Sequence, residues 1–165
     1  MSLEPIWTRL ARRDLGVTEI PGRNHNPRIV QMAIEVGAWW RDDEMAWCGV
    51  AMGAWILEAG YQPARPAWRA LKWLDWGLEI EEPCVGAIAI YDRGHGLGHV
   101  NTIIGVDHSG RLLGIGGNQG NRVSVAAFDP LRLLGLRWPT EAALLVNLDP
   151  LPVLSFGGAS SSREA

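Results

Sequence analysis

The chain has 165 residues, a formal net charge of −3 and 20% charged residues, which is typical of one globular domain. The acidic balance argues against a nucleic-acid-binding protein, and two cysteines are too few for a disulfide framework or a four-cysteine zinc site. No apolar run approaches the roughly 20 residues of a membrane helix, so we expect no membrane partner. We also expect a monomer that does not bind nucleic acid.

The first half of the chain carries helix signals. A first helix is predicted over residues 3–14, and the Asn26-Pro27 pair predicts the start of a second helix, with a capping side chain followed by proline at the first helical position. Residues 47–59 predict a helix that is apolar on most sides, so we expect it in the middle of the fold. A shorter amphipathic helix is predicted over residues 67–76.

The second half carries strand signals. Short β-rich segments separated by turn residues predict five strands, at residues 86–91, 98–106, 111–116, 122–126 and 133–138. Helices followed by an antiparallel sheet of about five strands predict the α+β class, with the apolar helix packed on the sheet. We expect one domain over residues 1–140 and a C-terminal extension over 141–165, flexible from about residue 156.

Cys48 lies near the start of the predicted apolar helix. The positive end of a helix dipole stabilises a thiolate and lowers the pKa of a cysteine from about 8.5. This position is suited to a nucleophile, but a cysteine on an apolar helix is more often a small core residue. We expect Cys84 to be a buried thiol.

His99 begins the strand HVNTIIGV, where it is either a general base or a core residue. If the next hairpin closes symmetrically about the turn at 107–110, His99 faces Asn118, and opposed residues have Cβ atoms about 4.5–5.5 Å apart. Asn118 would then accept the imidazole N–H and fix its tautomer. A bulge at Gly116-Gly117 would shift the register and give the orienting role to Gln119 or a backbone carbonyl.

Other polar and aromatic residues are candidates for contacts with a substrate. Trp47 lines a groove or packs in the core, and Trp40, with its neighbour Trp39, is suited to stacking on sugar rings. Glu44 caps the helix or contacts a substrate amine. Gln119 is a further candidate for substrate binding.

The histidines and cysteines also allow a zinc interpretation. His95 and His99 straddle a glycine-rich loop and a strand, and neither Cys48 nor Cys84 has a second ligand at short spacing. We therefore expect no metal and no cofactor.

Several stretches together resemble one family. DEMAWCGVAMGAWILEAGY, GHVNTIIGVD, GIGGNQGNRV and GLRWP are similar to phage- and prophage-associated peptidoglycan amidohydrolases of the papain-like NlpC/CHAP group, over roughly residues 5–139. The resemblance implies a papain-like fold with Cys48 as nucleophile, His99 as base and Asn118 as orienting residue. Two departures are Gly86-Ala87, where the family often has an acidic residue, and Cys84, for which it suggests no role.

The resemblance implies a cysteine endopeptidase or amidase that cleaves an amide bond in bacterial cell-wall peptide, as a phage or prophage lysin does. The alternatives are a non-catalytic wall-binding module on the same fold and a cysteine-dependent acyl transferase or deamidase that acts on proteins. Charged residues interrupt the N-terminal segment, so we expect cytoplasmic synthesis without a signal peptide. Action on the wall would then follow lysis-linked release or delivery.

Overall fold

A computed structural model describes residues 4–22, 25–38, 46–146 and 149–157. These residues form three α-helices: α1 (Ile6–Arg13), α2 (Pro27–Glu35) and α3 (Cys48–Glu58). They also form three 3-10 helices, at Ala70–Asp75, Pro130–Arg132 and Thr140–Leu145. The predicted amphipathic helix over 67–76 is thus a shorter 3-10 helix, and α1 begins at Ile6, after Pro5, rather than at residue 3.

Six strands form one antiparallel sheet in the order β1-β6-β2-β3-β4-β5. They are β1 (Leu78–Glu79), β2 (Ile88–Gly94), β3 (Leu97–Val106), β4 (Leu112–Gly116), β5 (Ser124–Phe128) and β6 (Leu133–Trp138). The predicted α+β class with helices before an antiparallel sheet is confirmed. The two-residue strand β1 was not predicted.

Local sequence signals explain where the helices begin. The Asn26 side chain accepts a hydrogen bond from the Arg28 backbone N–H at 2.8 Å, which caps α2 as predicted. In α3, every residue from Cys48 to Ile56 is buried, and the helix packs against α1, α2, β3 and β4. The prediction of a central helix that is apolar on most sides is confirmed.

An ion-pair cluster around Asp14 joins the three α-helices. The buried Asp14 carboxylate accepts hydrogen bonds from Arg28 at 3.0 Å, from the Trp55 indole at 2.9 Å and from Arg13 at 3.1 Å. Burial alone would raise the pKa of Asp14, but these hydrogen bonds lower it below its usual value. The cluster ties α1 and α2 to α3 and so helps to fix the helix that carries Cys48.

The tryptophan enrichment belongs largely to the core. Five indole side chains are at most 1% exposed, and six of the described tryptophans donate their N–H within the protein. Because a buried indole N–H requires an acceptor, these hydrogen bonds favour one packing arrangement of the core. The six donors are Trp7, Trp47, Trp55, Trp73, Trp76 and Trp138.

The C-terminal segment over residues 149–157 packs on the sheet. The Val106 N–H donates to the Pro152 carbonyl at 2.9 Å, and the Leu154 N–H donates to the Val106 carbonyl at 2.8 Å. Most of the tail predicted from about residue 156 lies outside the described residues. Throughout the described ranges, the helices are too short or too polar to cross a membrane.

Candidate active site

Cys48 is the first residue of α3 and borders a cleft. It is only 4% exposed, and its thiol lies against the backbone N–H of Val100, the residue that follows His99 in β3. Burial raises the pKa of the Cys48 thiol, although the N–H groups of Val100 and Gly49 and the charge of Arg93 oppose that rise. The prediction of a lowered pKa at the helix start is therefore wrong, because desolvation outweighs the helix terminus.

His99 is fully buried in β3, opposite Tyr91 of β2. Its ring stacks on Phe128, with a centroid distance of 5.2 Å and an interplanar angle of 15°. Its Nε2 atom lies 2.9 Å from the Oε1 atom of Gln119. The imidazole is thus held by an aromatic face and by one side-chain amide.

The hydrogen bonds of Gln119 determine which way its amide points. Its Nε2 atom donates to the carbonyl oxygens of Gly114 at 3.2 Å and Ser124 at 2.7 Å. Since carbonyls only accept, the NH₂ group must face them, and Oε1 must face the imidazole. The Nε2 atom of His99 therefore carries the proton, and in the neutral ring the Nδ1 atom is the nitrogen without one.

Asn118 does not take the orienting position that the symmetric hairpin predicted. The β3–β4 pairing ends at Thr102 opposite Ile115, and its irregularity lies between Ile103 and Gly105 rather than at Gly116-Gly117. Asn118 has a positive φ of 56°, and this left-handed turn takes the chain out of the strand register. Gln119, the alternative inferred from sequence, is the residue that contacts His99.

Two further residues belong to this polar cluster and were not singled out from sequence. Asn101 donates from Nδ2 to Gln119 Oε1 at 3.1 Å, and the buried Tyr91 hydroxyl lies beside the Asn101 amide. Alternate residues of a strand share one face, so the sequence could have indicated that Asn101 lies beside His99. The alternation of Gly114 and Gly116 in β4 is a second signal, because it leaves space for large side chains on one face of the sheet.

These two glycines make room for the buried amides. A Cβ atom at Gly114 would lie 2.5 Å from the Asn101 amide, and one at Gly116 would lie 2.5 Å from Oε1 of Gln119. Real Cβ atoms do not approach other heavy atoms so closely, so both positions require glycine. The glycine-rich stretch GIGGNQG thus accommodates amide side chains.

The predicted substrate-binding residues have different outcomes. Trp47 is fully buried and donates its indole N–H to Glu19 at 2.7 Å, so the prediction that it lines a groove is wrong and it is a packing residue. Gln119 is 2% exposed and orients His99 rather than facing the cleft. Trp40 and Glu44, together with Trp39, lie outside the described residues.

The remaining candidates do not join the site. His95 is exposed in the β2–β3 turn, and Cys84 borders a separate cavity with Glu81 and Glu82. Within the described part of the chain, no group of three or more histidine, cysteine or carboxylate side chains is arranged to hold a metal ion.

The cleft beside Cys48 has a volume of about 510 Å³, which is within the usual range for sites that bind small ligands. Its walls come from Ala46, from the first residue of α3, from residues in and just before the 3-10 helix Ala70–Asp75, and from the β2–β3 hairpin. Its described lining residues are Ala46, Cys48, Trp68, Arg69, Ala70, Leu71, Lys72, Asp75, Arg93, Gly96, Leu97 and Gly98.

Comparison of the chain with protein-family models, curated proteins and solved structures gives no match. Function is therefore inferred from the geometry of the site and from the sequence motifs.

Proposed function

We propose that the protein is a cysteine-dependent amidohydrolase that cleaves an amide bond in bacterial cell-wall peptide. Cys48 is the nucleophile, His99 the general base and Gln119 the residue that orients the base. The main support is the amide of Gln119, whose fixed orientation leaves His99 with a proton on Nε2 and a basic Nδ1. A general base needs one ring nitrogen that carries no proton, and this arrangement leaves Nδ1 in that state.

The position of the thiol supports the same assignment. The Cys48 sulfur borders the cleft and lies against the backbone of the residue after His99. Burial favours the protonated form of the sulfur, so the reaction begins from a neutral thiol. Proton transfer to Nδ1 of His99 accompanies attack, as in other nucleophile–base pairs.

The reaction then proceeds in two halves. The sulfur bonds to the substrate carbonyl carbon, and the tetrahedral intermediate collapses as His99 returns the proton to the leaving amine. This breaks the C–N bond and leaves a thioester on Cys48. Water, deprotonated by His99, attacks the thioester, so that a carboxylic acid leaves and the thiol is restored.

The start of α3 supplies a donor for the oxyanion. The first N–H groups of a helix have no partner inside the helix, and Trp47, at the N-cap, makes no side-chain capping hydrogen bond. The Cys48 backbone N–H is therefore our candidate to donate to the developing negative charge, a role that is worth several kcal/mol in known oxyanion holes.

The test is release of soluble peptide from purified, dye-labelled bacterial cell walls. Cys48→Ala is expected to reduce the rate by at least about 1,000-fold, because it removes the nucleophile. Cys84→Ala is the matched control, since it removes a second buried thiol from a separate cavity. Full activity of Cys48→Ala, with its thermal unfolding unchanged, would refute the proposal.

Mass spectrometry of the released fragments then identifies the bond that is cut. New amine and acid ends in the peptide support the hydrolase. Walls that bind the wild-type protein and Cys48→Ala equally, without any new ends, would instead identify the protein as a binding module.

A further inference from the structure

The cleft beside Cys48 carries an excess of positive charge that the proposed chemistry does not use. Arg69 and Lys72 come from the 3-10 helix segment, and Arg93 comes from β2. Asp75 is the single carboxylate among the described lining residues. This balance contrasts with the net charge of −3 for the whole chain.

The three cations are available to a ligand. No described residue forms an ion pair with Arg69, Lys72 or Arg93, whereas Arg12, Arg13, Arg28 and Arg111 elsewhere are all paired with carboxylates. Unpaired cations that line one cavity repel each other, and an anion bound among them relieves that repulsion. Their position therefore favours an anionic ligand.

The positive charge also reaches the reacting atom. The charge of Arg93 acts on the Cys48 sulfur and partly opposes the effect of burial on its ionisation. Because Arg93 and Cys48 line the same cleft, an anion held by Arg93 would lie in the cavity that the nucleophile borders and not at a remote surface.

We propose that the cleft is a carboxylate-binding subsite, in which Arg93 and Arg69 hold a free carboxylate of the substrate next to the amide that Cys48 attacks. This inference rests on the proposed function, because a peptide substrate is what supplies the carboxylate. Arginine presents parallel N–H donors that match the two oxygens of a carboxylate. A cavity of about 510 Å³ accommodates a short peptide that bears this group.

The test uses soluble peptides released from purified cell walls, either untreated or with their carboxylates converted to methylamides. For untreated peptides, Arg93→Gln and Arg69→Gln are each expected to raise KM about tenfold, because each removes a charge-assisted hydrogen bond. Blocked peptides should have a high KM with the wild-type protein, and neither substitution should raise it further. Arg9→Gln, which removes an exposed charge from α1, is the control that leaves KM unchanged.

Calorimetric binding to the Cys48→Ala variant separates this inference from the proposed function. Tighter binding of untreated than of blocked peptides, lost in Arg93→Gln on the same background, supports the subsite even if the wild-type protein cleaves nothing. Equal cleavage of both peptide preparations by the wild-type protein, with KM unchanged in both arginine variants, would overturn the subsite and leave the hydrolase intact.

Discussion

The orientation of His99 depends on Gln119 and not on Asn118, and this distinction can be tested with one pair of variants. Gln119→Met keeps the length of the side chain but removes its amide. Asn118→Gly is the matched control, because glycine adopts the positive φ of 56° at this position without strain. We expect the first variant to lose activity and the second to keep it.

The magnitude follows from the hydrogen bonds of Gln119. The side chain is 2% exposed and makes four hydrogen bonds, two accepted and two donated. At about 1 kcal/mol each, with some compensation from the apolar replacement, Gln119→Met should lower the free energy of unfolding by about 3 kcal/mol. Loss of the fixed tautomer should reduce kcat by about 100-fold. This factor is at the lower end of what general acid–base catalysis contributes to a rate.

The assay is cleavage of labelled cell walls at a temperature where circular dichroism shows both variants folded. The ¹⁵N chemical shifts of the His99 ring report which nitrogen carries the proton. We expect Nε2–H in the wild-type protein and in Asn118→Gly, and a mixture of tautomers in Gln119→Met. Wild-type activity in Gln119→Met, together with an inactive Asn118→Gly, would mean that another group holds the ring.

Three further predictions concern the surroundings of the site. Asp14→Asn should lower the free energy of unfolding by about 2 kcal/mol near neutral pH, because it removes the buried charge that pairs with two arginines. Folding lowers the pKa of this carboxyl, so its contribution to stability is complete above about pH 5 and is lost as the pH falls below about 4. The acid denaturation curves of the wild-type protein and the variant should therefore converge at low pH. Gly114→Ala should cost about 1–3 kcal/mol in chemical denaturation, because the added methyl group overlaps the Asn101 amide. Tyr91→Phe should reduce kcat severalfold with KM unchanged if the hydroxyl supports Asn101, and an unchanged kcat would restrict Tyr91 to packing.

The helices and strands that were predicted correctly are determined by residues that are close together in the sequence. The start of α2 follows from a capping side chain and a proline in sequence, and the central position of α3 follows from its composition. Strand positions follow from apolar segments between turn residues, and all five predicted strands begin within two residues of the observed ones. Such signals need no knowledge of the rest of the chain.

Identifying the residue that contacts the His99 ring required backbone geometry that the sequence does not specify. Extending the β3–β4 register to His99 requires the ladder to continue past Ile115, but the chain leaves the strand through the left-handed turn at Asn118. Asparagine adopts this conformation more readily than most residues, so the residue chosen as the partner in fact makes the turn. The amide that follows it then reaches the imidazole.

The burial of Cys48 leads to a different mode of activation from the one that the sequence predicted. A helix terminus acting alone would give a thiolate that reacts without a base, whereas burial raises the pKa of this thiol and favours its neutral form. In the proposed mechanism, the sulfur then depends on His99 to accept its proton, and His99 depends on Gln119 for its tautomer. The role proposed for the amide network behind the imidazole is therefore activation of the thiol, and disruption of that network should reduce alkylation of Cys48 as well as hydrolysis of the wall.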